Sequence, residues 1–170
     1  MFDLFTSLAK HQQLDYLSRI VLSNLDYTQP KPQTLIETYI QDSPSASLRL
    51  HAICVLRAIV RSRMKAFDWG IEILVTRLYH QDAVVNEVVL SVLNEAAGYA
   101  PYLNIIIEKR PPFIQHPLAE SLFEKFASVK AGIEFLTTQN KKWFERSILQ
   151  WKNERSLAYV ISVEDAMANR

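Results

Sequence analysis

Asp82-Ala83-Val84-Val85-Asn86-Glu87-Val88-Val89-Leu90-Ser91-Val92-Leu93-Asn94-Glu95-Ala96-Ala97-Gly98 is the stretch on which the fold turns. Its valines favour a strand on propensity alone, because β-branched side chains suit a pleated surface. The spacing contradicts that. Val85, Val88, Val89, Val92, Leu93 and Ala96 recur at steps of three and four, while Asn86, Glu87, Ser91, Asn94 and Glu95 fall on the opposite face. The run is also longer than a typical strand. Asp82 supplies a capping side chain at its start, and Gly98 stands where a helix C-terminal glycine belongs. The segment is therefore predicted to be a helix.

The same pattern extends outward in both directions. Upstream, Asp42-Ser43-Pro44-Ser45 precedes a stripe of Leu48, Ala52, Val55, Leu56, Ile59 and Val60, and Phe67, Ile71, Leu74, Val75 and Leu78 form another. Further back, Leu14, Leu17, Ile20, Val21 and Leu25 define an amphipathic helix that ends at the Pro30 and Pro32 breaks, followed by a short piece over Thr34 to Ile40. Downstream, Tyr102 to Lys109, Pro117 to Ala127 and Lys130 to Thr138 read as helices. Lys141 to Ala168, free of Pro and Gly, is the longest candidate, with a bend expected near Asn153.

Short connections and the absence of a strand pattern leave a closed bundle or a pile of helical hairpins. Stripes beginning near positions 48, 67 and 85 give a period of about 37 to 40 residues for every two helices, near that of HEAT and armadillo units. The expected fold is all-α: stacked helical hairpins, a HEAT/armadillo-like α-solenoid segment ending in a long C-terminal helix. It is read as one helical domain over 1–170, with a helical-repeat part to about 110 and C-terminal helices over about 117–170.

Composition narrows the function. The 170 residues carry 19 Lys plus Arg against 18 Asp plus Glu, a formal net charge of +1, so no global field attracts nucleic acid. Apolar residues are 49%, yet glycine occurs only three times, at Gly70, Gly98 and Gly132. Phosphate loops and nucleophile elbows need clustered glycines and cannot be assembled from these. Met1-Phe2-Asp3 does not open a secretory signal, and no apolar run approaches the ~20 residues of a membrane span. The lone Cys54 suits a reducing compartment. A cytoplasmic location follows as the expectation.

No catalytic, cofactor or metal site is expected. His11, His51, His80 and His116 lack the spacing of metal ligands. His80-Gln81-Asp82 reads as a helix junction with Asp82 as the cap, and Glu72, Glu87 and Glu95 as solvated residues. Tyr16, Tyr39, Tyr99 and Tyr102 read as exposed. Arg49, Arg57, Arg61 and Arg63 make a basic edge, which offers phosphate a foothold but reads first as an ordinary solvated face. The nearest thing to a binding element is Lys141 to Arg155, with five basic and two acidic residues. Phe144, Ile148 and Trp151 share a face there, and Lys141, Lys142, Arg146 and Arg155 supply charge. Docking on its own domain is the plainer reading. A groove-binding helix, a small-GTPase contact or an acidic membrane surface is the alternative.

Several stretches, in order, resemble a known family. They are Leu22-Ser23-Asn24-Leu25-Asp26-Tyr27-Thr28; Leu48-Arg49-Leu50-His51-Ala52; Trp69-Gly70-Ile71-Glu72-Ile73-Leu74-Val75-Thr76-Arg77-Leu78-Tyr79; and Val92-Leu93-Asn94-Glu95-Ala96. After Arg110-Pro111 come Phe126-Ala127-Ser128, Gly132-Ile133-Glu134-Phe135-Leu136 and Trp151-Lys152-Asn153-Glu154-Arg155-Ser156-Leu157-Ala158-Tyr159-Val160. Together they resemble the middle-to-late region of the Rictor family, the scaffold subunit of TOR complex 2, called Avo or Pianissimo in other lineages. The chain departs from the family at His80-Gln81 and at Phe113-Ile114-Gln115-His116, both in connections.

The resemblance implies a non-enzymatic scaffold whose partners are the TOR kinase and the other TOR complex 2 subunits, acting upstream of AGC kinases. One stretch of that family region is likened to the N-terminal module of Ras exchange factors, which implies helices and not exchange activity. Membrane association is then peripheral, through recruitment of the complex to the plasma membrane. Family members are far longer, so the expectation is an excised segment or a reduced relative. Apolar faces left open at the ends of a stack imply self-association.

Overall fold

The computed structural model describes residues 13, 15–80 and 82–168, with the side chains of Lys65, Arg155 and residues 158–168 outside the description. Among the described residues the regular structure is helical, without strands. The elements are α1 (15–23), α2 (Pro30–Asp42), α3 (Ala46–Arg61), α4 (Asp68–Arg77), α5 (Ala83–Ala96), α6 (Ala100–Glu108), α7 (Pro117–Phe126), α8 (Lys130–Gln139) and α9 (Lys141–Ala168), with a 3-10 turn at Lys65–Phe67 before α4. The chain divides into two compact units, Met1–Lys125 and Phe126–Arg170.

In the first unit α2 packs on α3 and α4, α3 on α4 and α5, and α4 on α5 and α6. This arrangement generates two rows, α2-α4-α6 and α3-α5, the pattern of stacked helical hairpins. α3 begins at Ala46 and α5, the next helix in its row, at Ala83. Local chemistry explains the boundaries. The Ser45 hydroxyl caps α3 by accepting from the Leu48 N–H at 3.3 Å, and the Asp82 carboxylate caps α5 by accepting from the Val85 N–H at 3.2 Å. His116 Nδ1 accepts from the Leu118 N–H at the start of α7. Pro30 opens α2 rather than ending the helix before it, because a first-turn proline lacks only an N–H that has no helical partner anyway.

The core is made by the expected stripes of α3, α4 and α5. Ala52, Leu56, Ile71, Leu74, Val85, Val89 and Leu93 are all fully buried, each larger member contributing about 1.5–3 kcal/mol of transfer free energy. Two expectations fail on α5. Asn86 and Asn94, assigned to the polar face, are buried. Asn86 Nδ2 donates to the His80 carbonyl at 2.8 Å, and Asn94 Nδ2 donates to the Leu118 carbonyl, so each ties α5 to a neighbouring connection or helix. Gly98 does not adopt the left-handed conformation of a helix-ending glycine. That conformation falls instead to Arg63 (φ 54°), just beyond α3, and Arg110 (φ 51°), just beyond α6.

α1 presents the opposite face from the one its periodicity suggests. Leu17, Ile20 and Val21 are 51%, 44% and 48% exposed, while Leu22 is fully buried. Polar contacts choose this orientation: Ser45 donates to Asp15 at 2.5 Å, Arg19 to Ser47 and Tyr39 to Ser18, and Ser23 meets His51 at 3.1 Å. Leu14 of the expected stripe lies outside the described residues.

In the second unit α8 packs on α9. Phe126 and Phe135 meet edge to face with centroids 5.6 Å apart, and Leu136 is fully buried. Gly132 lies so close to the end of α7 that a Cβ there would stand 2.1 Å from the Phe126 carbonyl oxygen. α9 is continuous through Asn153.

Candidate functional site

The arginine edge lies at the surface, with Arg61 and Arg63 exposed, but it is partnered. Arg57 and Arg61, one turn apart on α3, both reach Glu95 on α5. Arg57 donates to Glu95 Oε2 through Nε at 2.8 Å, and Arg61 reaches the same oxygen through Nη2 at 3.1 Å while its Nε donates to Oε1. Glu95 is thus a carboxylate held between two guanidinium groups. Hydrogen bonds first from Arg61 and then from Arg57 pull its pKa from 4.5 down to about 2. Arg61 is in turn held charged more firmly than usual by the hydrogen bond to Glu95.

Arg63 lies two residues beyond α3, in the left-handed backbone region. Its guanidinium carbon stands 5.5 Å from the centre of the Tyr99 ring, a cation–π distance, and Tyr99 in turn meets Tyr102 edge-on at 5.1 Å and 86°. Tyr102, expected on the surface, is buried, and Tyr99 is half-buried. Burial is the leading cause that raises the Tyr102 pKa. Arg57, Arg61, Arg63, Glu95, Tyr99 and Tyr102 line a recess of about 60 Å³ floored by Val60, Val92 and Ala96.

The fourth arginine of the edge is used elsewhere. Arg49 reaches Asp82 Oδ2 at 3.0 Å, and Arg77 of α4 reaches the same oxygen at 3.1 Å. Asp82 therefore combines the capping role expected of it with an ion-pair role, and the His80 side chain is exposed. Glu72 pairs with Lys109 at 2.9 Å. Among the described residues no group of three or more His, Cys, Asp or Glu side chains is placed to hold a metal ion. His11 lies outside the described residues.

On α9, Lys141 and Lys142 are exposed, and Lys141 lies 3.7 Å from Glu145. Phe144 and Ile148 are half-buried, Arg146 is exposed and Trp151 is 40% exposed; the Arg155 side chain lies outside the description. The most buried aromatic of this stretch is Trp143, at 5% exposure, which the three-residue face omitted. Among the described residues no helix is long and apolar enough to cross a membrane.

Comparison with known sequences places these elements. Residues 65–170, from the turn before α4 onward, match the family described as the RasGEF_N domain of the rapamycin-insensitive companion of mTOR. The chain belongs to the Rictor family. It is 31% identical over 170 residues to protein pianissimo A of Dictyostelium discoideum, covering 99% of this chain and 15% of that protein. It is 26% identical over 171 residues to the rapamycin-insensitive companion of mTOR of Mus musculus and of Homo sapiens, covering 98% of this chain and 10% of each. The chain thus corresponds to a small part of the length of these Rictor-family relatives, and the match extends through both units.

Glu95, Tyr99 and Trp143 are the residues that reading the sequence missed. Glu95 lies 38 and 34 residues from the arginines it binds, so no local pattern announces the pairing.

Proposed function

We propose that the chain is a non-enzymatic packing segment of a Rictor-type scaffold in TOR complex 2. It helps hold the TOR kinase and the other subunits together and so supports signalling to AGC kinases. The match of 98–99% of the chain to Rictor and Pianissimo relatives is the observation that carries this reading. A second feature agrees with it: α1 turns Tyr16, Leu17, Ile20 and Val21 outward as a contiguous apolar face, the type of surface through which stacked helices receive a neighbour. Action in the cytoplasm, recruitment to the plasma membrane with the complex, and self-association of the isolated chain belong to the same reading.

The test is affinity purification with the full chain as bait in an extract of its own source. The TOR kinase and its companion subunits are expected to co-purify. Leu17, Ile20 and Val21 replaced together by serine should weaken recovery while leaving the helical circular dichroism unchanged. Absence of the kinase and of every companion subunit from the recovered material would sink the proposal.

A further inference from the structure

The recess between α3, α5 and α6 has an uneven charge. Three guanidinium groups face a single carboxylate, and Arg63 has no carboxylate partner among the described residues. Arg57 and Arg61 spend Nε and Nη2 on Glu95, leaving their Nη1 donors free of it, since each guanidinium carries five N–H groups. Arg63 sits just beyond α3 in the left-handed, helix-ending conformation, which carries its side chain to the recess. Its cationic head is braced over the Tyr99 ring at the edge of the recess.

We infer that this recess is a binding site for a phosphate monoester carried on a peptide side chain, with Arg63, Arg61 and Arg57 as its ligands. Charge and size both select that group. The cluster carries a net charge of +2, and a phosphorylated serine or threonine carries about −1.5 to −2 at neutral pH with three acceptor oxygens. A volume of about 60 Å³ takes one tetrahedral anion and falls well short of the ~300 Å³ at which pockets for drug-sized ligands begin. A phosphate on a slender side-chain linker fits that volume. Glu95 acts as the resident anion. It holds the two α3 guanidinium groups in a fixed fork, and the incoming phosphate competes with it for them. The site does not depend on membership in TOR complex 2, so failure of the co-purification above leaves it standing.

The experiment titrates the full chain with a short phosphoserine peptide, its unphosphorylated twin, inorganic phosphate, and vesicles containing a phosphoinositide. The phosphopeptide is expected to bind at least tenfold more tightly than its twin, and inorganic phosphate to compete with it. Arg63→Gly, which keeps the backbone conformation available, should weaken phosphopeptide binding about tenfold. Glu95→Gln, which removes the competing charge, should strengthen it, a gain that damage to the fold would not produce. Equal binding of the two peptides, binding untouched by Arg63→Gly, weaker binding by Glu95→Gln, or capture by the vesicles alone would each overturn the proposal.

Discussion

Arg77, at the end of α4, is 3% exposed, and its guanidinium Nη2 lies 3.1 Å from Oδ2 of Asp82, the residue that caps α5. The pair joins two consecutive helices across their connection. Its Nε and Nη1 have no hydrogen-bond partner among the described residues, so Asp82 is the anion on which the buried charge depends. Burial pulls the Arg77 pKa down, partly opposed by Asp82, while the Val85 N–H is the leading cause that lowers the Asp82 pKa. A charged group in this position is stable only while its partner remains.

Asp82→Asn separates the two roles of Asp82. Asparagine caps a helix about as well as aspartate, so the α5 cap is kept while the ion pair is lost. A loss of about 3 kcal/mol is expected from stranding a buried guanidinium, measured by urea unfolding. Asp82→Ala should cost roughly 1 kcal/mol more, the usual worth of a cap. Asparagine as stable as the native residue would show that Arg77 does not need the charge.

Gly132→Ala should destabilise by about 1–3 kcal/mol despite the better helix propensity of alanine. The new Cβ would meet backbone atoms of Phe126 at 2.1 to 2.8 Å, and backbone cannot turn aside. Gly70→Ala is the control. There the nearest atom, at 2.9 Å, is Cδ1 of Leu56, the far end of a flexible side chain, and a much smaller effect is expected. Thermal unfolding of both variants decides whether close approach, and not glycine as such, explains Gly132.

The contrast between α3 and α1 shows what the sequence discloses about this fold. α3 has its cap at Ser45 and its stripe from Leu48 to Val60, features encoded within one or two helical turns and therefore readable. α1 has an equally regular stripe, yet hydrogen bonds to Ser45, Ser47 and Tyr39 turn it outward. Periodicity reports that a helix has an apolar side; which side meets a neighbour is settled by partners tens of residues away. The same limit governed the arginines of α3. Their spacing was visible, but Glu95 and Tyr99 come from a helix and a turn that only the hairpin stacking brings alongside. Asn86 and Asn94 obey the polar alternation in sequence and still lie inside, where their Nδ2 groups donate to the carbonyls of His80 and Leu118.

Arg110→Gly should raise stability by about 0.5 kcal/mol. The residue sits at φ 51°, where glycine avoids the Cβ penalty of the left-handed region, although glycine also gains entropy in the unfolded chain. Its carbonyl accepts from the Tyr79 hydroxyl, a contact the substitution preserves. Arg110→Val should instead destabilise, because a branched Cβ suits this conformation least. Equilibrium unfolding of the pair tests the sign in both directions.

Glu95 gives the fold an acid-sensitive link. Its pKa falls from 4.5 to about 2 on folding, so the folded state binds the proton less readily than the unfolded chain does. The resulting stabilisation is fully present above about pH 4.5 and is lost as the pH falls through the interval to about 2. Arg57 and Arg61 stay charged throughout, so protonation of Glu95 converts a bridged fork into two neighbouring cations without their anion. Glu95→Gln should therefore be less stable than the native chain at neutral pH and lose less stability on acidification, the two curves converging toward pH 2. Denaturant midpoints measured from pH 7 to pH 2 test this, and parallel curves for the two proteins would show that the Arg57–Glu95–Arg61 bridge contributes nothing to acid stability.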